Sequence, residues 1–371
     1  MKVKDFALIK RGSSPRPIIE YLSNEGFPWL KISDFSFGQR YIFETKEFIK
    51  PLGLSNTRYV KKDTLVLTNS ASPGIPIFLG NDMCLHDGFL YFEKIDSRVL
   101  PMYLYYYFLA NRNKLVKQGN GSVFVNLKKE ILENTEIDIP TLDVQQHIVN
   151  TIGSIDDLIE ICNKKINKLT SLIDLEYKNL KVDFIESTLE KEFEISIGRT
   201  PPRDEKKWFS LEEHDYKWVS IKDMGEKPLF IYETNEKLTK EAINKFNFIA
   251  TRKYDILMSF KLTVGKISIA GCNLVTNEAI ATFKPKKEYL RWYLYCYLKN
   301  CNFTNAGSTS SIATAINSTI LKKYKFPLPN KSDLIEFNNK VSIYINNIDQ
   351  EILKIQKLKT TKEKLLIKFF K

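Results

Sequence analysis

The stretch "GFPWLKISDF" at 26–35 is written a second time, loosely, as "YKWVSIKDM" at 216–224, and this repetition constrains the fold more than any other feature of the chain. Setting Trp29 on Trp218, 189 residues on, also sets Asp34 on Asp223. "DTLVLTNSASPGIPI" (63–77) parallels "DILMSFKLTVGKISI" (255–269) without strict register, each a short strand, a polar loop closed by Gly74 or Gly265, and a second strand. "DGFLYF" (87–92) follows on "EAIATF" (278–283), and "YLYYYF" (103–108) on "YLYCYL" (293–298). Each copy then passes through a Gly-Ser loop to a proline stop at Pro140 or Pro329. Pairs kept in order at a near-constant offset define a tandem duplication of a unit of about 190 residues, far longer than solenoid repeats.

Each unit ends in a segment of different character. From Ile148 the apolar positions run Ile152, Ile155, Ile159, Ile166, Leu169, Ile173 and Leu180, a heptad seam interrupted at Cys162 and Glu176. The second copy repeats it with Val341, Ile345, Ile348, Ile352 and Ile355, then a Lys-rich turn and Leu365, Leu366 and Phe369. A heptad stripe left in water is unstable, so each helix requires a partner, and the other copy supplies one. The expected order is globule (1–140), central long helix (141–190), globule (191–329) and C-terminal long helix (330–371), the two helices antiparallel. Short β-runs beside an aromatic helix make each globule mixed α/β.

A chain of 371 residues with 43% hydrophobic and 12% aromatic residues folds, and into more than one core. Its formal charge of +12 favours a polyanionic partner, nucleic acid before anionic membrane. The five cysteines form no CxxC pair and no zinc-ligand spacing, so neither disulfide framework nor metal site is expected. No signal-like segment or run approaching 18 apolar residues occurs, and the expected location is cytoplasmic.

Catalytic motifs are missing from the sequence. It holds no P-loop, no G-x-G-x-x-G after a strand and no G-x-S-x-G. His86, His147 and His214 are scattered, and "RDEKK" (203–207) has no further carboxylates upstream for two-metal chemistry.

Binding residues are better represented. The loops 66–74 and 257–265 present Thr68, Asn69, Ser70 and Ser72, or Ser259, Lys261 and Thr263, types that read base edges or hold phosphates. The globule openings "FALIKRGSSPRP" and "EISIGRTPPR" carry Arg11, Ser13 and Arg16, or Arg199, Thr200 and Arg203. Asn120, Ser122, Ser308 and Thr309 lie in small polar loops that a phosphate could approach. Trp29 and Trp218 read as frame residues of a core, with Lys31 and Lys222 beside them as phosphate contacts. The aromatic stripes at 103–108 and 292–298 read as core.

Duplicated units of this size, opening with a strand-Gly-Ser/Thr-Pro element, carrying "PWLKISD" or "KWVSIKD" and ending in a proline stop before a heptad helix, resemble the DNA specificity (S) subunits of type I restriction-modification systems. The resemblance covers residues 1–371 through the order and spacing of its parts. It implies two target recognition domains, each reading one half of a bipartite asymmetric site in double-stranded DNA. It also implies an antiparallel coiled coil that sets the spacer and docks two methyltransferase (M) subunits. In that family the M subunits bind S-adenosylmethionine and methylate adenine, while restriction (R) subunits use ATP and Mg. The S subunit binds no cofactor and has no catalysis of its own. The family's Pro-x-Leu-x-Glu-Gln is "PTLDVQQHI" here, with Val144 in place of Glu and Gln145 kept; "PNKSDLIEF" has lost the Gln. A coiled-coil scaffold that binds only protein is the alternative reading.

Overall fold

The computed structural model describes residues 1–34, 38–117, 126–180, 185–225, 229–303 and 318–371. It forms two compact units, Met1–Ile161 with Ile355–Lys371, and Cys162–Lys354.

In the first unit the strands Ala7–Arg11, Phe89–Ile95, Leu65–Thr68, Pro76–Leu79 and Tyr41–Ile42 form one sheet in that order. All neighbours are antiparallel except the last pair. In the second unit Phe193–Ile197, Ile280–Pro285, Ile256–Ser259, Ile267–Ala270 and Phe230–Ile231 follow the same order and directions. The duplication read from sequence is therefore a duplication of topology.

The central strands are apolar on both faces because both faces are covered. Alternate residues divide between two cores, as the two-residue period of a strand requires. Leu65, Leu67 and Phe78 join the aromatic helix Pro101–Lys117, whereas Val66, Ile77 and Leu79 join Leu30, Met83 and Leu85. The second unit repeats this, with Ile256 and Met258 against the helix Arg291–Asn300 and Leu257 on the opposite face with Val219 and Ile280. Both aromatic stripes are core, with Tyr105, Tyr106, Phe108, Leu294 and Cys296 all buried.

A second sheet completes each globule. In the first unit it runs Leu22–Ser23, Phe48–Ile49, Phe27–Leu30, Met83–Leu85 and Arg58–Val60. The second unit has Phe209–Ser210, Glu236–Leu238, Tyr216–Val219 and Val275–Thr276, with the single bridge Thr251 to Leu274 where the first has a fifth strand. Trp29 lies opposite Cys84 and Trp218 opposite Val275 in equivalent parallel pairs, and both indoles are buried.

The long helices are Leu142–Lys178 and Lys331–Phe370. The first stops well short of the expected 190; the Leu180 amide bonds the Tyr177 carbonyl at 3.3 Å, a tightened last turn. Leu180, assigned to the seam, lies beyond that end, half-buried against the second unit's core. At the Glu176 interruption the neighbouring Tyr177 turns inward, its ring 5.9 Å from Tyr293 and 6.5 Å from Phe337.

Within the first unit the helix segments run antiparallel, His147 meeting Phe369 and Asp156 meeting Lys362. Ile148, Ile152, Ile155, Ile355 and Leu366 are buried there, and Ile159 is half-buried. Within the second unit Lys165 pairs with Glu351 and Glu176 with Lys340, again antiparallel. Cys162, Ile173, Val341, Ile345 and Ile348 are buried there, while Ile166, Leu169 and Ile352 are half-buried. The small, weakly polar thiol of Cys162 thus occupies a seam position rather than leaving it.

Candidate nucleic-acid interface

Each globule opens where its first strand leaves one sheet and meets the other. Gly12 donates to the Phe89 carbonyl at 2.9 Å and Ser13 to Leu85 at 3.0 Å; Gly198 donates to Ile280 at 3.2 Å and Arg199 to Thr276 at 2.9 Å. A Cβ at Gly12 would lie 2.1 Å from the His86 oxygen, and one at Gly198 would lie 2.1 Å from the Thr276 oxygen. Glycine is needed in both copies because backbone passes directly against backbone.

The arginines of these openings differ in freedom. Arg11 donates through Nε to the Asp87 carbonyl at 2.8 Å, and Arg199 through its guanidinium to Phe246 at 2.7 Å. Arg203 pairs with Glu236 at 2.7 Å and lies over the rings of Phe209 and Trp218 at 4.8 and 4.7 Å. These partners orient the three side chains, which remain exposed, as Arg16 does. Ser13 is half-buried and donates its hydroxyl to Asn56, a role in holding the turn. The Thr200 hydroxyl is buried and has no partner among the described residues.

The two strand-connecting loops are one construction used twice. The Thr68 hydroxyl donates to the Ser72 carbonyl and accepts the Ile75 amide; the Ser259 hydroxyl does the same with Thr263 and Lys266. Gly74 closes on the Thr68 carbonyl and Gly265 on that of Ser259. Thr68 and Ser259 are fully buried and Asn69 is 5% exposed, its amide donating to the Asp87 carbonyl. These three, expected to contact DNA, are instead the internal braces of the loops, because a buried hydroxyl or amide must be satisfied where it lies. Ser70 is half-buried, and Ser72, Lys261 and Thr263 are exposed.

Beside the tryptophans, Asp34 accepts the Lys31 amide at 2.8 Å and Asp223 the Ser220 amide at 2.8 Å, so the repeated aspartate ends each strand in a tight turn. Lys31 Nζ pairs with Glu47 at 2.5 Å and lies over the Trp29 ring, whereas Lys222 is exposed. His86 completes this corner. Its Nδ1 accepts the Gly88 amide at 2.8 Å. Burial lowers its pKa, with Lys31, Arg16 and Arg11 acting in the same direction and Asp87 opposing. Asn120, Ser122, Ser308 and Thr309 lie outside the described residues.

Two polar clusters on the long helices escaped the sequence reading. In the first unit Asp156 accepts from Lys362 at 2.6 Å and from the Tyr106 hydroxyl at 2.8 Å. In the second, Asp349 pairs with Lys253 at 2.6 Å and accepts from Tyr254 at 2.9 Å. Their trace in sequence is the dipeptide Ile-Asp, at 155–156 and again at 348–349, where a seam isoleucine precedes a carboxylate. Gln145 is buried, bridging the Leu100 amide and the Arg98 and Pro140 carbonyls. Leu334 is its counterpart 189 residues on and is buried in the second unit's core. The lost glutamine therefore reflects a difference in internal packing.

Two α/β copies sharing one topology, each followed by a heptad helix, define an internally duplicated α/β protein in which one braced loop frame carries two different sets of exposed residues. The type I restriction modification DNA specificity domain family matches residues 1–171 and again 181–363, and the chain belongs to that family. The type I restriction enzyme MjaIX specificity subunit of Methanocaldococcus jannaschii is 32% identical over 49% of this chain and 43% of that one. With that relative the chain shares less than half of the relative's length. The MjaVIII specificity subunit of the same organism is 23% identical over 99% of this chain and 90% of its own. Among solved structures, the type-I restriction-modification system S subunit from M. genitalium has the same fold, with a TM-score of 0.61 at 14% identity over 99% of this chain and 94% of that one.

Proposed function

We propose that this chain is the DNA-reading subunit of a type I restriction-modification complex, each globular copy contacting one half of a split, non-palindromic site. The observation that carries the reading is the pair of loops braced identically by Thr68 and Ser259 but exposing Ala71 and Ser72 in one copy and Lys261, Leu262 and Thr263 in the other. A symmetric dimer presents one surface twice and reads a palindrome. Two diverged copies present two surfaces, so their half-sites differ.

The long helices set the spacing between half-sites and receive two methyltransferase subunits. Support for docking comes from apolar residues left exposed on their outer faces: Leu158 and Ile161 in the first unit, Leu172 and Leu175 in the second. The spacing by three keeps each pair on one face. The chain contributes recognition and no bond-making step. Methyl transfer belongs to partner subunits that carry S-adenosylmethionine, and ATP- and Mg-dependent restriction to R subunits where these join. The complex works in the cytoplasm; among the described residues no helix is long and apolar enough to cross a membrane.

Co-expression with the methyltransferase partner, followed by genome-wide mapping of methyladenine, tests the reading. A gapped motif with two unlike halves is the expected result. A palindrome, or no new methylation, overturns it, and the latter would favour a purely protein-binding scaffold.

A further inference from the structure

Among the described residues, five that are not glycine adopt a left-handed backbone: Asp63, Ala71, Asn247, Tyr254 and Leu262. Four of them form two repeat-related pairs, Asp63 with Tyr254 and Ala71 with Leu262, both 191 residues apart. The first pair is accounted for by the fold. Aspartate tolerates this conformation, and Tyr254 is held by ring contacts with Phe230 and Trp292 and by its hydrogen bond to Asp349.

The side chains of the second pair are not packed into the fold in this way. Ala71 is exposed, and Leu262, at φ +62°, is 76% exposed. The Ser72 amide bonds the Ser70 carbonyl at 2.6 Å and the Thr263 amide the Lys261 carbonyl at 2.7 Å, so each tip is a strained γ-turn with residue 71 or 262 at its apex. Glycine would relieve both turns, yet the chain places a side chain at each apex and braces it from below. Strain held in place by surrounding hydrogen bonds marks segments where position matters to function.

We propose that these two apices are base-sensing contacts, and that Leu262 lies against the 5-methyl group of a thymine in the major groove. The inference rests on the DNA-reading function above and adds the residues and the chemistry. Leucine neither donates nor accepts a hydrogen bond, and the methyl of thymine is the one apolar feature on a base edge in that groove. Lys261 and Thr263, exposed on either side, are suited to phosphate contacts that fix the approach. Ala71 offers a smaller apolar surface beside the Ser72 hydroxyl, so the two copies read different edges.

The test uses the complex of the full chain with its methyltransferase and duplexes carrying the motif found by methyladenine mapping. Each thymine is replaced singly by uracil, which removes only the methyl. One replacement is expected to weaken binding by the wild-type complex about fourfold, the factor for burying one methyl group. Leu262→Gly is expected to bind the thymine duplex weaker by at least that factor and to be indifferent to the uracil. Its melting temperature should not fall, since glycine suits the turn, and its salt dependence should be unchanged because no phosphate contact is lost. Uracil without effect at every thymine, or an effect that persists in Leu262→Gly, overturns the assignment while selective binding stands. A wild-type complex that fails to discriminate its motif from scrambled DNA overturns the DNA-reading function itself.

Discussion

Lys362 on the second long helix places its ammonium 2.6 Å from the Asp156 carboxylate on the first, and both side chains are buried. Removing one partner of such a pair leaves an uncompensated buried charge, which costs about 3 kcal/mol or more. Lys362→Met is therefore expected to destabilise the first unit by that amount in urea denaturation. Combining it with Asp156→Asn should recover more than half of the loss, because the amide is neutral and its oxygen still accepts from Tyr106. Equal losses in the single and double variants would show that the ion pair is not the source.

Gly12 and Gly198 lie where an added Cβ would strike backbone oxygen at 2.1 Å, whereas one at Gly153, inside the first long helix, would meet only the Tyr106 hydroxyl at 3.6 Å. Gly12→Ala and Gly198→Ala are expected to cost about 1–3 kcal/mol each by forcing the backbone apart. Gly153→Ala is expected to stabilise by about 0.5–1 kcal/mol, because alanine lowers the backbone entropy of the unfolded chain. Melting curves of the three variants check the ordering.

His86 is held neutral by burial, with its pKa below the ordinary 6.5. The unfolded chain then takes up its proton first as pH falls, so the contribution of neutral His86 is fully present above about pH 6.5 and is lost as pH drops through its folded pKa. Protonation at Nδ1 also breaks the bond from the Gly88 amide. A nuclear magnetic resonance titration should place the imidazole midpoint below 6.5, with the Gly88 amide shifting alongside it. A midpoint above 6.5 would contradict the burial assigned to this ring.

Inserting four residues after Lys164 adds one turn, about 6 Å, to the first long helix. At about 3.4 Å per base pair the methylated motif should gain one or two base pairs in its gap with both halves unchanged. Methyladenine mapping reads the gap directly. An unaltered gap would remove the helices' role as a spacer.

The sequence alone determined the duplication, the mixed α/β class and the heptad pairing. Each leaves a trace in the residue pattern: short apolar β-runs such as 65–67, a heptad seam from Ile148 onward, and tryptophans returning after 189 residues. Periodicity records which side of an element is apolar, and that is decided within a few residues. The helix end near Lys178 left less of a trace, since Leu180 keeps the seam's spacing but packs on the globule.

The tertiary structure decided which polar residues of the candidate interface are free. Thr68, Asn69 and Ser259 have the composition of a reading loop, yet they are buried and satisfied by Ser72, Asp87 and Thr263. Hydroxyls that brace a loop and hydroxyls that face solvent are the same residue types at adjacent positions; only the paths of the chains around them distinguish the two. The apices at Ala71 and Leu262, apolar residues amid polar ones, carried no chemical signal in sequence. Their backbone conformation and exposure exist only once both flanking strands are fixed in the sheet.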